Sequence, residues 1–192
     1  MALIPTASQT IGPFYAVGLD RPELADLTHG GKALGETIIV EGEVRDGDGA
    51  GVSDAMLEIW QANAAGKYDH AEDRQEKPRD PNFTGFGRAF TDKAGRYRFT
   101  TIRPGAVPGR GNALQAPHIL MTVFARGLLK HLVTRIYFAD LAAANDADPV
   151  LGKIGDEAAR RSLFAAPLPG ATPRYRFDVV LQGAGETAFF DV

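Results

Sequence analysis

Thr37-Ile-Ile-Val-Glu-Gly-Glu-Val44 is the stretch that decides the architecture of this chain. It is rich in β-branched residues and reads as a strand. Asp46-Gly-Asp-Gly49 follows as a turn signal, and Ala55-Met-Leu-Glu-Ile-Trp60 as the next strand. The same rhythm recurs downstream. Arg88–Thr91 and Tyr97–Ile102 flank Asp92-Lys-Ala-Gly95, a hairpin signature. His118–Phe124 and His131–Phe138 flank a turn at Arg126-Gly127. Asp140–Phe164 is alanine-rich and charged, with one short helix predicted over Asp156–Phe164. Arg174–Leu181 and Thr187–Val192 close the chain as strands. About eight short strands separated by Gly/Asp turns predict an all-β protein. Its core is expected to be an antiparallel β-sandwich, with an extended N-terminal arm and a short C-terminal helix before the last strands.

Upstream of Glu36 the pattern differs. Residues 1–35 carry weak periodicity and many breakers, among them Pro5, Gly12, Pro13, Gly18, Pro22, Gly30, Gly31 and Gly35. The stretch reads as an extended arm with one short helix around Pro22–Leu27. Ile11, Pro13, Phe14, Tyr15 and Val17 are too apolar for a solvated tail, so the arm is expected to lie on something. The predicted division is an arm over 1–35 and a sandwich domain over 36–192; the family resemblance given below implies that the arm contacts a partner chain.

Composition narrows the chemistry. The chain has 192 residues, a formal charge of -3, no cysteine and 4 histidines. Without cysteine there is no disulfide framework, thiolate metal site or cysteine nucleophile. His29, His70, His118 and His131 are scattered, which leaves little material for a transition-metal site. No basic stripe suggests nucleic acid. No apolar run is long enough to span a membrane. The N-terminus lacks the basic and apolar regions of a signal peptide, so the expected compartment is cytoplasmic.

Several candidate sites have ordinary explanations. Asp46, Asp48 and Asp54 resemble part of a calcium loop, but position 12 from Asp46 is Leu57 and both flanks are strands, so a hairpin turn is the reading. Gly85-Phe-Gly87 lacks the rest of a dinucleotide fingerprint. Arg126 and Arg135 fall near the ends of neighbouring predicted strands, and either could clamp a carboxylate. Tyr68 and His118 are the best single metal-ligand candidates, yet two ligands do not close a site.

Taken in order, a set of phrases carries a family resemblance. They are Leu57-Glu-Ile-Trp-Gln-Ala62, Ala65-Gly-Lys-Tyr68, Gly87-Arg88, Gly95-Arg-Tyr-Arg-Phe99, Thr101-Ile-Arg-Pro-Gly105, Ala116-Pro-His-Ile119 and Ile136-Tyr-Phe138. The chain resembles the intradiol ring-cleaving dioxygenases. The resemblance implies a β-sandwich and a non-haem ferric ion held by two tyrosinates and two histidines, which binds a catecholate and activates it towards O₂. Tyr68 stands at the first tyrosine position. The second, in a Gly-Pro-Tyr-Pro phrase of catalytic relatives, is here Val107 in Gly105-Ala-Val-Pro108. The family's His-x-His is here His118-Ile-Leu120, so Leu120 replaces the second histidine. Valine and leucine offer no lone pair, so the chain is expected to hold no metal and to supply no catalytic residue by itself. Ser8-Gln-Thr-Ile-Gly-Pro-Phe14 and Phe177–Val192 look like the degenerate chain of a two-chain family member, in which a homologous β chain carries Fe(III). In such an enzyme αβ protomers repeat by symmetry. The resemblance then implies that Thr10, Gly12, Pro13, Phe14, Tyr15 and Arg126 line the substrate pocket of the partner. Two other readings remain open: a transthyretin-like structural module without chemistry, and a self-sufficient dioxygenase using His70 or His131 as substitute ligands.

Overall fold

The computed structural model describes residues 4–111 and 113–191. Residues 1–3 of the expected arm and Val192 of the expected last strand lie outside the described residues. The strands are β1 (Thr37–Arg45), β2 (Met56–Gln61), β3 (Phe86–Phe90), β4 (Arg96–Ile102), β5 (Val107–Pro108), β6 (Leu114–Gln115), β7 (His118–Phe124), β8 (Leu132–Phe138), β9 (Phe164–Leu168), β10 (Arg174–Arg176) and β11 (Val179–Val180). Three short helices accompany them: α1 (Tyr15–Leu19), α2 (Ala142–Asp146) and α3 (Glu157–Arg161). The all-β class is as expected.

One continuous path of pairing runs β3–β2–β7–β8–β9–β10–β1–β4, with β11 also on β1. β3 and β4 are therefore the two free ends of a nearly closed sheet. The Asp92–Gly95 turn joins these ends but does not make them a hairpin, contrary to the sequence reading. β2 takes the edge of β3 and β1 takes the edge of β4. The seam is filled by the arm. Pro22–Ala25 forms a 3₁₀ turn, shorter than the predicted helix, and the Leu27 N–H donates to the Thr100 carbonyl at 2.8 Å. Leu27 is buried in the core beside Ile59, Phe99 and Ile119.

Not every pairing is antiparallel. β1 pairs parallel with β10 and β11, and β8 with β9. Arg174–Leu181, expected as one strand, breaks at Phe177-Asp178, where β1 changes partner from β10 to β11. Gly42 makes this possible: a Cβ there would lie 1.8 Å from the Phe177 carbonyl oxygen. That oxygen accepts the Tyr97 hydroxyl at 2.5 Å. Thr187–Val192 is not a strand over its described part; it meets the sheet through one isolated bridge, Phe190 to Val133, and through hydrogen bonds of Thr187 with Val180 and of the Ala188 carbonyl with the Thr134 hydroxyl.

Local signals behave as physical chemistry dictates. Asp46 accepts the Asp48 and Ala50 N–H groups, so the aspartate-glycine segment is a closed turn. Asp156 caps α3 by accepting the Ala158 N–H at 2.8 Å. Among the described residues no helix is long and apolar enough to cross a membrane.

Candidate functional site

Two regions collect the residues singled out from the sequence. The first holds Tyr68, Val107, His118 and Leu120, the four positions expected from the sequence at a lost metal site. Asn63 accepts the N–H groups of Ala65 and Lys67 at 3.0 Å each, forming the turn that delivers Tyr68. Gly66 needs its positive φ of 78° here, and a Cβ would meet the Ala106 carbonyl at 2.0 Å. Lys77 donates to the carbonyls of Gly66 and Ala106, tying the Tyr68 turn to the β5–β6 hairpin that carries Val107. Tyr68 then stacks on Trp60, with centroids 5.9 Å apart and planes 11° from parallel. Tyr68, Val107, Trp60, Pro108 and Gln115 line a cleft of about 880 Å³.

The floor of this region is set by strand register. Trp60, Leu120 and Arg135 are opposite neighbours across β2, β7 and β8 and so share one face of the sheet. His118 lies opposite Tyr137 on that same face. Its ring is 5% exposed, and its Nδ1–H donates to the Ala116 carbonyl at 2.7 Å. Arg135 donates from Nη1 to Gln115 Oε1 at 2.7 Å and to the Tyr137 hydroxyl at 3.3 Å. Its positive charge acts on Tyr68, His118 and Tyr137 together. Burial holds the Tyr68 phenol above its ordinary range, with Arg135 pulling the other way. Burial pushes His118 down to about 4.

Of the four positions expected to ligate iron, only Tyr68 and His118 carry donor atoms. Val107 is buried aliphatic surface, and Leu120 fills the space between Trp60 and Arg135. A guanidinium stands among them. This donor set does not fit a ferric ion, which needs several anionic or neutral lone-pair ligands and is repelled by a fixed cation. The substitute ligands do not close the set. His70 sits on the cleft rim, while His131 packs on Phe124 at the opposite end of β7 from His118.

His118 gives a pH test. The unfolded chain takes up a proton near the ordinary value of 6.5, and the folded chain refuses it until about 4. The unfolded state thus binds more protons in this window, and stability falls as pH drops through it. Between pH 7 and pH 4.5 the loss from this group is expected to reach about 2–3 kcal/mol. Urea unfolding at the two pH values measures it; His118→Gln should lose less by that amount. Equal losses in both proteins would refute the assignment.

The second region gathers the arm. Thr10 Oγ accepts the Gly127 N–H at 2.8 Å. Tyr15 packs on Phe90, 5.5 Å between centroids, and its hydroxyl donates to the Asp54 carbonyl. Arg126 pairs with the Asp54 carboxylate. Thr10, Tyr15 and Arg126, far apart in sequence, therefore meet around Asp54 and Gly127. Burial and the Asp54 charge raise the Tyr15 phenol to about 12, so it stays a neutral donor. Gly12 and Pro13 are exposed, Phe14 is 84% exposed and Val17 83%. Asp54, set aside in the sequence as a turn residue, organises this patch. Its role depends on Arg126 arriving from the β7–β8 turn, which no local pattern announces.

A nearly closed β-sheet with Tyr68 stacked on Trp60 and His118 on the same sheet face defines the class: this is the architecture expected of ring-cleaving dioxygenases. The family model described as Dioxygenase matches residues 11–183, and the chain belongs to that family, of the intradiol type. It is 44% identical to the protocatechuate 3,4-dioxygenase alpha chain of Burkholderia cepacia, over 97% of both chains. It is 38% identical to the beta chain of the same organism's enzyme, covering 94% of this chain and 77% of the beta chain. Among solved structures, an intradiol ring-cleavage dioxygenase from Tetranychus urticae superimposes with a TM-score of 0.62 at 18% identity. That match covers 85% of this chain and 89% of the other, and shows the shared fold.

Proposed function

We propose that this chain is the non-catalytic α subunit of a two-chain protocatechuate 3,4-dioxygenase. A homologous β chain holds Fe(III). Together they open the ring of protocatechuate with O₂ to 3-carboxy-cis,cis-muconate, in the cytoplasm, within αβ protomers repeated by symmetry. The observation that carries this reading is the convergence of Thr10, Tyr15 and Arg126 on one patch whose apolar members are uncovered. A second supports it. The chain exposes 10987 Å², about a quarter more than a globular monomer of its mass. Surplus surface of this kind, with Phe14 and Val17 on it, fits a protein–protein contact.

In this reading residues 1–35 contact the partner and 36–192 form the sandwich that presents them. Gly12 and Pro13 allow backbone to come close to the substrate. Phe14 offers its ring to the aromatic ring. Arg126 keeps most of its guanidinium in the open and attracts the substrate carboxylate, or those of the product. Thr10 and Tyr15 hold the arm at two points, so Phe14 projects at a defined place. The iron in the partner supplies Lewis-acid binding of the two catechol oxygens.

The test is production of the chain alone and together with a β-type relative. Iron and turnover are expected only in the pair. Within the pair, Phe14→Ala and Arg126→Ala should each raise KM about tenfold or more, with a smaller change in kcat. Stoichiometric iron and turnover in the lone chain would refute the reading. A pair indifferent to both substitutions would confine the arm to sealing the interface. Failure to associate with any such β chain would favour the structural-module reading.

A further inference from the structure

The cleft at the degenerate metal position has the make-up of a ligand site of its own. Its volume of about 880 Å³ suits a small molecule. Its walls are the Trp60–Tyr68 stack on one side and Val107 and Pro108 on another. Arg135 lies directly behind it, hydrogen-bonded to the wall residue Gln115. Among the described residues no carboxylate comes within salt-bridge distance of Arg135, and its Nε and Nη2 have no acceptor. Neither atom is among the sealed, unsatisfied groups, so this edge keeps some contact with solvent. It is the edge that forms two parallel bonds with a carboxylate. The Tyr68 hydroxyl also donates to no described residue.

The acidic residues at the rim are already engaged. Asp73 accepts the Tyr68 N–H at 2.7 Å and the Gln75 N–H at 3.0 Å, and lies 3.6 Å from Lys67. Glu72 faces Arg74 at 3.9 Å. One cation, its guanidinium over the Phe190 ring at 5.7 Å, therefore has no carboxylate partner among the described residues, beside flat apolar walls. We propose that this cleft binds a small aryl monocarboxylate without metal, its ring against Trp60 and Tyr68 and its carboxylate on Arg135 and the Tyr68 hydroxyl. The guanidinium replaces the metal as the site's positive charge. A single negative charge matches it; a dicarboxylate would place its second charge near the acidic rim.

Trp60 is the chain's only tryptophan, so its fluorescence reports the site directly. The full chain is titrated with benzoate, benzamide and acetate, with no partner chain present, so the outcome is independent of the subunit reading above. Benzoate is expected to quench Trp60 saturably. Benzamide, lacking the charge, and acetate, lacking the ring, should each bind at least about tenfold more weakly. Arg135→Gln should weaken benzoate at least about tenfold, with Arg135→Lys between the two proteins. Circular dichroism melts check that both variants are folded; should Arg135→Gln fail to fold, Arg135→Lys and the benzamide comparison decide. Quenching that stays linear to about 20 mM benzoate, or equal affinity for benzoate and benzamide, would overturn the proposal. So would undiminished binding in a folded Arg135→Gln protein.

Discussion

Val107→Tyr combined with Leu120→His is expected to leave the chain almost free of iron, and adding Arg135→Gln to let it load. The double variant restores the two absent donor side chains at positions that already flank Tyr68 and His118. It does not remove the guanidinium. At about 4 Å and an effective dielectric near 20, a pair of like unit charges costs about 4 kcal/mol, and a ferric ion held by two tyrosinates keeps one net positive charge. That repulsion opposes what a new tyrosine and histidine gain at an imperfectly shaped site. Gln115 and Tyr137, which Arg135 now engages, can reorganise around a glutamine. Metal analysis and the visible phenolate-to-iron absorption measure the outcome. Iron below about one-tenth of an equivalent in the double variant and near one equivalent in the triple is expected. Equal loading of the two would show that the cation is irrelevant and that the loss of donors alone emptied the site.

Gly42→Ala is expected to cost about 3–4 kcal/mol, which for a domain of this size lowers Tm by about 10 °C. The added Cβ would sit 1.8 Å from the Phe177 carbonyl oxygen, far inside contact distance. Neither side can yield cheaply. Gly42 is held between β4 and the β10–β11 break, and the same carbonyl accepts the Tyr97 hydroxyl while the Phe177 N–H donates to Glu41. Gly42 is not in the left-handed region, so the penalty is steric contact and not backbone preference. Gly18→Ala is the control: nothing lies within 4 Å of a Cβ there, and its φ is ordinary. It should be neutral or slightly stabilising. A Gly42→Ala protein melting within about 2 °C of the parent would show that the sheet has slack at this point.

Much of this molecule was legible in the chain because its information is local. Asp46 and Asp156 each fold a few neighbouring residues by accepting N–H groups, and such signals survive any tertiary setting. The longer strands β1, β2, β4, β7 and β8 were legible for the same reason, whereas the short β5, β6 and β9 carry no such pattern and Thr187–Val192 carried a false one. Strand partners were not. Asp92–Gly95 says only that the chain reverses; it cannot say that β3 belongs to β2 and β4 to β1. The parallel pairing of Ile39 with Arg174 joins residues far apart in sequence, beyond any periodicity. That Val107 and Leu120 offer no donor atoms is plain from their side chains; that donors belong there is an expectation from the family resemblance alone. Arg135 was visible as a lone arginine, but its meaning depends on the register Trp60–Leu120–Arg135, which is tertiary. Asp54 likewise acquired a role only when Arg126 and Tyr15 came to it from two directions.

The way β1 is flanked has a consequence for how the chain is made. β10 and β11, which cover one edge of β1, are synthesised well after it. Until they arrive, β1 has an open edge and the core beside it is incomplete. Contacts of such sequence separation are slow to form and come late. The arm gains its seat only when β4 offers the Thr100 carbonyl to Leu27 and the β7–β8 turn offers Gly127 to Thr10. A chain stalled before Gly127 therefore cannot hold Phe14 in its place, however well its first strands have formed.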